Sequence, residues 1–276
     1  MVKVVVLATR FVERYKQLRE EKRSILSIGL DPALPGQRDK YHIPQARVGE
    51  PRETLLEFCF EVLEQVSDYC CAAKANTQYL LPLCEKDYQR LNHVVHKLGM
   101  VSILDHKLGD IGASNEAALY WVHRLGFDAI TFSPFPGNLG ETTRVAQQKG
   151  LGVLVLTLMS NPEAELFMRR AVVDGLPIYK QIARQVFEHG ADGCVVGATG
   201  HVTTDEIRWI RRTIGEDRII LFPGVGAQGG RVEHILEAGG ENILIHLGRA
   251  VLYAENPGGK AEEYYNWIMP RFRAKF

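Results

Sequence analysis

Two acids bracket a lysine in the stretch Ser102-Ile103-Leu104-Asp105-His106-Lys107-Leu108-Gly109-Asp110-Ile111, directly after an apolar run. Strand side chains alternate faces, so Asp105 and Lys107 are expected to project together while His106 points away. Asp110 arrives three residues later, where a helical pattern opens at Ile111. Lys74 ends a second strand-like run, Tyr69-Cys70-Cys71-Ala72-Ala73. An unpaired buried ammonium is costly, so a lysine in such a run calls for an acidic partner. Two lysines and two aspartates at neighbouring strand ends make a compact, net-neutral cluster suited to proton transfer. Each has a plainer reading when taken singly: Asp110 as a helix cap, and Lys107 as a snorkelling surface residue paired with Asp105.

A second kind of chemistry is written near the other end. Phe222-Pro223-Gly224-Val225-Gly226-Ala227-Gln228-Gly229-Gly230 is a glycine-rich turn between a strand pattern and a helix pattern. Glycine lets backbone N–H groups approach an anion closely, and a helix start adds a favourable partial charge. Gly248-Arg249-Ala250 follows the next strand pattern and brings a guanidinium suited to phosphate oxygens.

The elements that must position these groups repeat along the chain. After an amphipathic helix over Phe11–Lys22, apolar runs recur at Ser24–Leu30, Tyr69–Ala73, Met100–Asp105, Ala129–Phe132, Gly152–Leu156, Gly193–Val196, Arg218–Phe222 and Asn242–Ile245, with helical stretches between them. Eight β-α units without a composition break predict a single (β/α)8 TIM barrel over residues 1–276, with a doubly wound sheet as the competing α/β fold. Asp31, Lys74, Asp105 to Asp110, Ser160, Gly224 to Gly230 and Arg249 would then follow strands, on the face where such barrels carry their sites. The Pro32–Pro51 stretch reads as a loop beside that face, and the Arg169–Lys180 segment as a longer helical connection.

Composition narrows the function. The 276 residues carry 33 Lys+Arg against 33 Asp+Glu, so no broad attraction to nucleic acid or anionic membrane is expected, and any anion must be held locally. The five cysteines form no CxxC pair and sit mostly in apolar runs, as buried thiols of a reducing compartment do. His93, His96, His106, His201 and His246 form no compact ligand motif, so no metal is expected. Neither a signal peptide nor a membrane span is legible, and the expected location is the cytosol.

Taken together, Gly29-Leu30-Asp31-Pro32, Ala73-Lys74-Ala75-Asn76, Asp105 to Ile111, Met159-Ser160-Asn161-Pro162, Pro223 to Gly230 and Gly248-Arg249-Ala250 resemble the orotidine 5′-phosphate decarboxylase family over nearly the whole length, most closely its longer bacterial-type branch. The Asp105–Asp110 segment is shared with metal-dependent sugar-phosphate relatives, but those carry an acid where this chain has Lys74. The resemblance implies cofactor-free decarboxylation of orotidine 5′-monophosphate to uridine 5′-monophosphate by a homodimer. It implies a network of Lys74, Asp105, Lys107 and Asp110, with Lys107 as the proton donor and with Asp110 and Ile111 reaching into the partner's site. It also implies that Asp31 and Lys74 hold the ribose, with Ser114 as a further ribose contact where relatives often have threonine. Ser160 would meet the pyrimidine edge, and Gln228 would bridge base and phosphate. Gly226, Gly229 and Arg249 would bind the phosphate, flanked by Pro223 and Gly248. Two rival readings remain: a magnesium-dependent enzyme acting on a phosphorylated sugar, and a catalytically silent phosphate-ligand sensor.

Overall fold

Eight of the apolar runs form parallel strands that close on themselves. In the computed structural model, which describes residues 10–225 and 232–276, the chain opens with α1 (Arg10–Lys22), β1 (Leu26–Leu30), α2 (Pro51–Val66), β2 (Ala72–Asn76), α3 (Glu85–Lys97), β3 (Val101–Leu108) and α4 (Gly112–Arg124). It continues through β4 (Ala129–Phe132), α5 (Leu139–Gln148), β5 (Gly152–Leu158), α6 (Pro162–Ala164), β6 (Val172–Val173), β7 (Leu176–Pro177), α7 (Ile178–Glu188) and β8 (Gly193–Val196). It ends with α8 (Thr204–Ile214), β9 (Ile219–Val225), α9 (Val232–Ala238), β10 (Ile243–Leu247), α10 (Arg249–Leu252) and α11 (Pro257–Arg273). The barrel order is β1-β10-β9-β8-β5-β4-β3-β2, and β6 pairs only with β7. This is the (β/α)8 barrel expected from the sequence, and the doubly wound alternative is excluded by the closure of β1 onto β10.

Strand alternation divides the buried residues into two layers. Outward-facing Ile28, Ile130, Val155 and Ile245 pack under the helices. Inward-facing Ala72, Ile103, Ala129, Leu154, Leu221 and Leu244 fill the barrel. Helix α1 seals the lower end, sending Phe11, Val12, Tyr15 and Leu18 into that inner layer. The Tyr15 hydroxyl donates to the Ile243 carbonyl at 2.6 Å, which satisfies the polar atom this side chain buries. The barrel is thus apolar below and, as described next, charged above.

Several boundaries differ from the sequence reading. Tyr69 and Cys70 donate their N–H groups to the Val66 carbonyl and belong to the turn that ends α2. As a result β2 begins at Ala72 and runs through Lys74, which lies inside the strand and not after it. Strand β3 likewise continues to Leu108 and takes Asp105 and Lys107 with it. The 165–177 segment is not a plain helical connection. Glu165–Arg170 form a π-helical turn, and β6 and β7 form a hairpin around Asp174 and Gly175. Both of those residues have positive φ (50° and 76°), as a two-residue hairpin turn of matching twist requires. A signal of that length is too short for apolar periodicity to register.

The plug fits only because β5 begins with a glycine. A Cβ on Gly152 would stand 2.2 Å from Cδ1 of Phe11. Gly152→Ala is therefore expected to lower stability by about 1–3 kcal/mol through overpacking, although alanine is ordinarily the better strand residue. The shift of the urea-unfolding midpoint measures it, and an unchanged midpoint would show that the plug is free to move.

Candidate active site

Asp105 is the centre of the charged upper layer. Its Oδ1 accepts from Lys107 Nζ at 2.7 Å and from the Thr131 hydroxyl at 3.0 Å. Its Oδ2 accepts a short hydrogen bond from Lys74 Nζ. Asp105 and Lys74 are buried, whereas the Lys107 side chain is 41% exposed. Burial works against both charges of the inner pair. For Asp105 the two lysines overcome it and hold the carboxyl well below the usual carboxylate range. For Lys74 the attraction of Asp105, then of Asp31, outweighs burial and lifts its pKa above that of an ordinary lysine.

Alternation alone does not explain how Lys107 comes to face Asp105. Lys107 has φ of 56°, in the left-handed region that lysine seldom enters, and the β3–β4 register shifts between Leu104 and Leu108. Its N–H is held by the Thr131 hydroxyl at 2.9 Å, the same hydroxyl that donates to Asp105. One threonine on β4 therefore sets both the backbone of the lysine and the carboxylate it meets.

Around this cluster lies a cavity of about 480 Å³ lined by Asp31, Lys74, Asn76, Asp105, Met159, Ser160, Asn161, Pro162, Pro223, Gly224, Val225, His246, Gly248 and Arg249. One carboxylate oxygen of Asp31, Oδ1, is buried without a hydrogen-bond partner, an acceptor available to a ligand hydroxyl. Arg249 stands with its guanidinium 5.7 Å from the centre of the Tyr41 ring, supplied by the 32–51 loop. Tyr41 in turn lies 6.2 Å from Tyr253, whose hydroxyl donates to the Asp31 carbonyl and accepts from the Ala33 N–H. A larger hollow, about 570 Å³, lies beside α8 and is lined by Gly197, Thr199, Asp205 and His234 among others, but no lysine reaches it.

The structure thus gathers Asp31, Lys74, Asp105, Ser160, Pro223, Gly248 and Arg249 about one cavity, with Lys107 bonded to its floor. Asp110, Ile111 and Ser114 are not brought into it; all three are exposed at the start of α4. There the Asp110 carboxylate accepts the Ile111 N–H at 2.8 Å. Gly226, Gln228 and Gly229 lie outside the described residues. Sequence reasoning missed Thr131 and His246 as site residues, and quoted Asn76 without assigning it a role. Each is a polar residue at an inward-facing position of its strand, and that parity was the available signal.

His246 is 5% exposed, its Nδ1 lies 3.3 Å from the Ser27 hydroxyl, and among the described residues no acid forms an ion pair with it. Burial and the charge of Lys74 push its pKa well below the usual histidine value, so the ring is neutral. Four cysteines are buried and Cys84 is exposed. Burial pushes the Cys59, Cys70, Cys71 and Cys194 thiols up, away from thiolate chemistry. Among the described residues no cluster of three or more histidines, cysteines and acids offers a metal site. None of their helices is long and apolar enough to cross a membrane.

A model of the orotidine 5′-phosphate decarboxylase / HUMPS family matches residues 26–264. The orotidine 5′-phosphate decarboxylase of Cupriavidus taiwanensis is 34% identical over 256 residues, covering 88% of this chain and 89% of that one. The orotidine 5′-phosphate decarboxylase of Herpetosiphon aurantiacus is 32% identical over 259 residues, covering 91% and 92%. The structure of Leishmania donovani OMP decarboxylase aligns with a TM-score of 0.76 at 24% identity, over 95% of this chain and 99% of that one, a likeness of fold.

The neutral His246 has a measurable consequence. The unfolded chain protonates an ordinary histidine below about pH 6.5, while the folded chain resists doing so. The stability His246 contributes is therefore complete above that pH and is lost as the pH falls below it. His246→Gln should flatten the decline of melting temperature between pH 7 and pH 5.5; an identical slope in the variant would show that the imidazole ionises freely.

Proposed function

The chain belongs to the orotidine 5′-phosphate decarboxylase / HUMPS family, and as an enzyme of that family it converts orotidine 5′-monophosphate to uridine 5′-monophosphate and CO2; we propose that it does so without a cofactor, with Lys107 delivering the proton to C6. The observation that carries this reading is Asp105 held between two lysines at the floor of the cavity. The family name also covers sugar-phosphate enzymes. Lys74, paired with Asp105 where those relatives carry an acid, and the identity to curated decarboxylases speak for the pyrimidine substrate.

Cleavage of the C6–carboxylate bond leaves the electron pair on C6 of the pyrimidine, where no adjacent carbonyl delocalises it as an enolate. A fixed ammonium is the remedy at hand, because a preorganised cation in a water-poor site stabilises developing charge without reorganising. Lys107 gives its proton to C6 and recovers one from solvent, to which its partial exposure gives access. Asp105 holds that ammonium in place through its hydrogen bond and, set near the substrate carboxylate, disfavours the bound ground state relative to the carbanion. Lys74 balances Asp105 and, with Asp31, takes the ribose hydroxyls. Ser160 meets the pyrimidine edge, and Arg249 takes the phosphate with Gly226 and Gly229. Pro223, Gln228 and Gly248 complete the pocket between base and phosphate. Binding energy at the distant phosphate aligns the ring for the step at C6.

The same reading gives a cytosolic homodimer in which Asp110, Ile111 and Ser114 of one subunit complete the site of the other. The exposure of Asp110 and of Ile111, an apolar side chain left 58% exposed at the start of α4, supports this arrangement.

Turnover of orotidine 5′-monophosphate, followed by absorbance with and without EDTA, tests the function. EDTA-insensitive decarboxylation is expected; metal-dependent activity on a phosphorylated sugar acid, or nucleotide binding with no turnover, would replace this reading. Lys107→Ala should lower kcat by at least about 10³-fold while nucleotide binding stays measurable, as loss of a general acid and its charge predicts. Arg249→Ala should act chiefly on KM, and an unchanged KM would remove it from the phosphate site. For the shared site, mixing Lys107→Ala with Asp110→Ala chains should regain activity in hybrid dimers that neither variant shows alone. Sedimentation as a monomer would refute the dimer.

A further inference from the structure

Among the described residues, the upper barrel layer holds a buried titratable group, His246, that the proposed chemistry leaves without a task. His246 faces the cavity from β10 beside Asp31, Lys74 and Asp105, is 5% exposed, and has Ser27 as its ladder neighbour on β1. Across from its ring, β1 carries Gly29. A Cβ at that position would stand 2.7 Å from Nε2 and 2.8 Å from Cε1 of the imidazole, so the ring occupies the space that a side chain would fill. Gly29 is the register partner of Lys74 on β2, and Asp31 lies two residues on, with the same inward parity.

We propose that His246 is a positioning residue, seated in the notch of Gly29 so that it sets the spacing of β10 against β1 and with it the placement of Asp31 and Lys74. The inference rests on the reading of the site given under Proposed function and goes beyond it in assigning a role to His246. An uncharged ring suits that place. It faces the cations Lys74 and Lys107 and the carboxylate of Asp105, with Asp31 on the same cavity, and a third cation would compete with both lysines for Asp105. A smaller apolar residue would leave the notch empty and the two strands free to close on it.

The interlock predicts a non-additive pair. His246→Ala and Gly29→Ala, made in the full chain, should each lower kcat/KM at least tenfold and weaken uridine 5′-monophosphate binding at least threefold. Added to His246→Ala, Gly29→Ala should change either quantity by less than twofold, because the ring it collides with is gone. His246→Gln, neutral and long enough to fill the notch, should recover most of kcat/KM. The proposal is overturned if His246→Ala keeps kcat/KM within twofold of wild type, whatever happens to its melting temperature. It is equally overturned if Gly29→Ala costs the same factor in both backgrounds. A wild-type chain that binds uridine 5′-monophosphate but does not decarboxylate its 6-carboxy precursor would instead defeat the functional reading, and the binding constants would still decide the coupling.

Discussion

The upper half of this barrel depends on one carboxylate accepting from two ammonium groups. Burying Asp105 or Lys74 alone would be prohibitive, and burying the two as a pair still leaves a desolvation cost that mutual attraction offsets only with close geometry and full hydrogen bonding. Asp105 meets that condition, with both oxygens engaged by Lys74, Lys107 and Thr131. The lysines are not equivalent. Lys74 is locked inside β2, whereas Lys107 rises toward the opening and keeps contact with solvent. Their difference in burial separates a counter-charge enclosed by the sheet from one that water reaches.

That arrangement is held by backbone the apolar pattern does not specify. The register slip of β3 against β4 and the left-handed Lys107 cost of the order of 1–3 kcal/mol, and they persist because the surrounding ladder fixes them. A different kind of support is seen beside Asp31. There Tyr253 ties the Asp31 and Ala33 backbone together and backs Tyr41, which faces Arg249. The rim of the cavity is thus braced by aromatic residues and its floor by charge.

Much of this was legible in the residues. Eight apolar runs with helical stretches between them specify a parallel sheet covered by helices and favour its closure into a barrel, which the β1–β10 pairing settles, and the run Asp105-His106-Lys107 announces the charged floor. Lys74 was legible as a buried lysine in need of an acid, and Asp105 is that acid. What escaped was set by tertiary contact. Thr131 is an unremarkable strand residue until the β3 slip brings its hydroxyl between the Lys107 N–H and the Asp105 carboxylate. His246 looks like any core histidine until Gly29 is placed opposite it. The 165–177 hairpin has two-residue strands, below the length at which alternation carries information.

The plug of α1 under the barrel has a bearing on traffic. With Phe11, Val12, Tyr15 and Leu18 packed into the inner layer from below, the described interior is a vessel with a single mouth. A gas released at its floor has to leave past whatever fills the opening, by the route along which the larger molecule came in. The loops at the rim, including the 32–51 stretch that carries Tyr41, therefore stand on the path of departure as well as that of arrival.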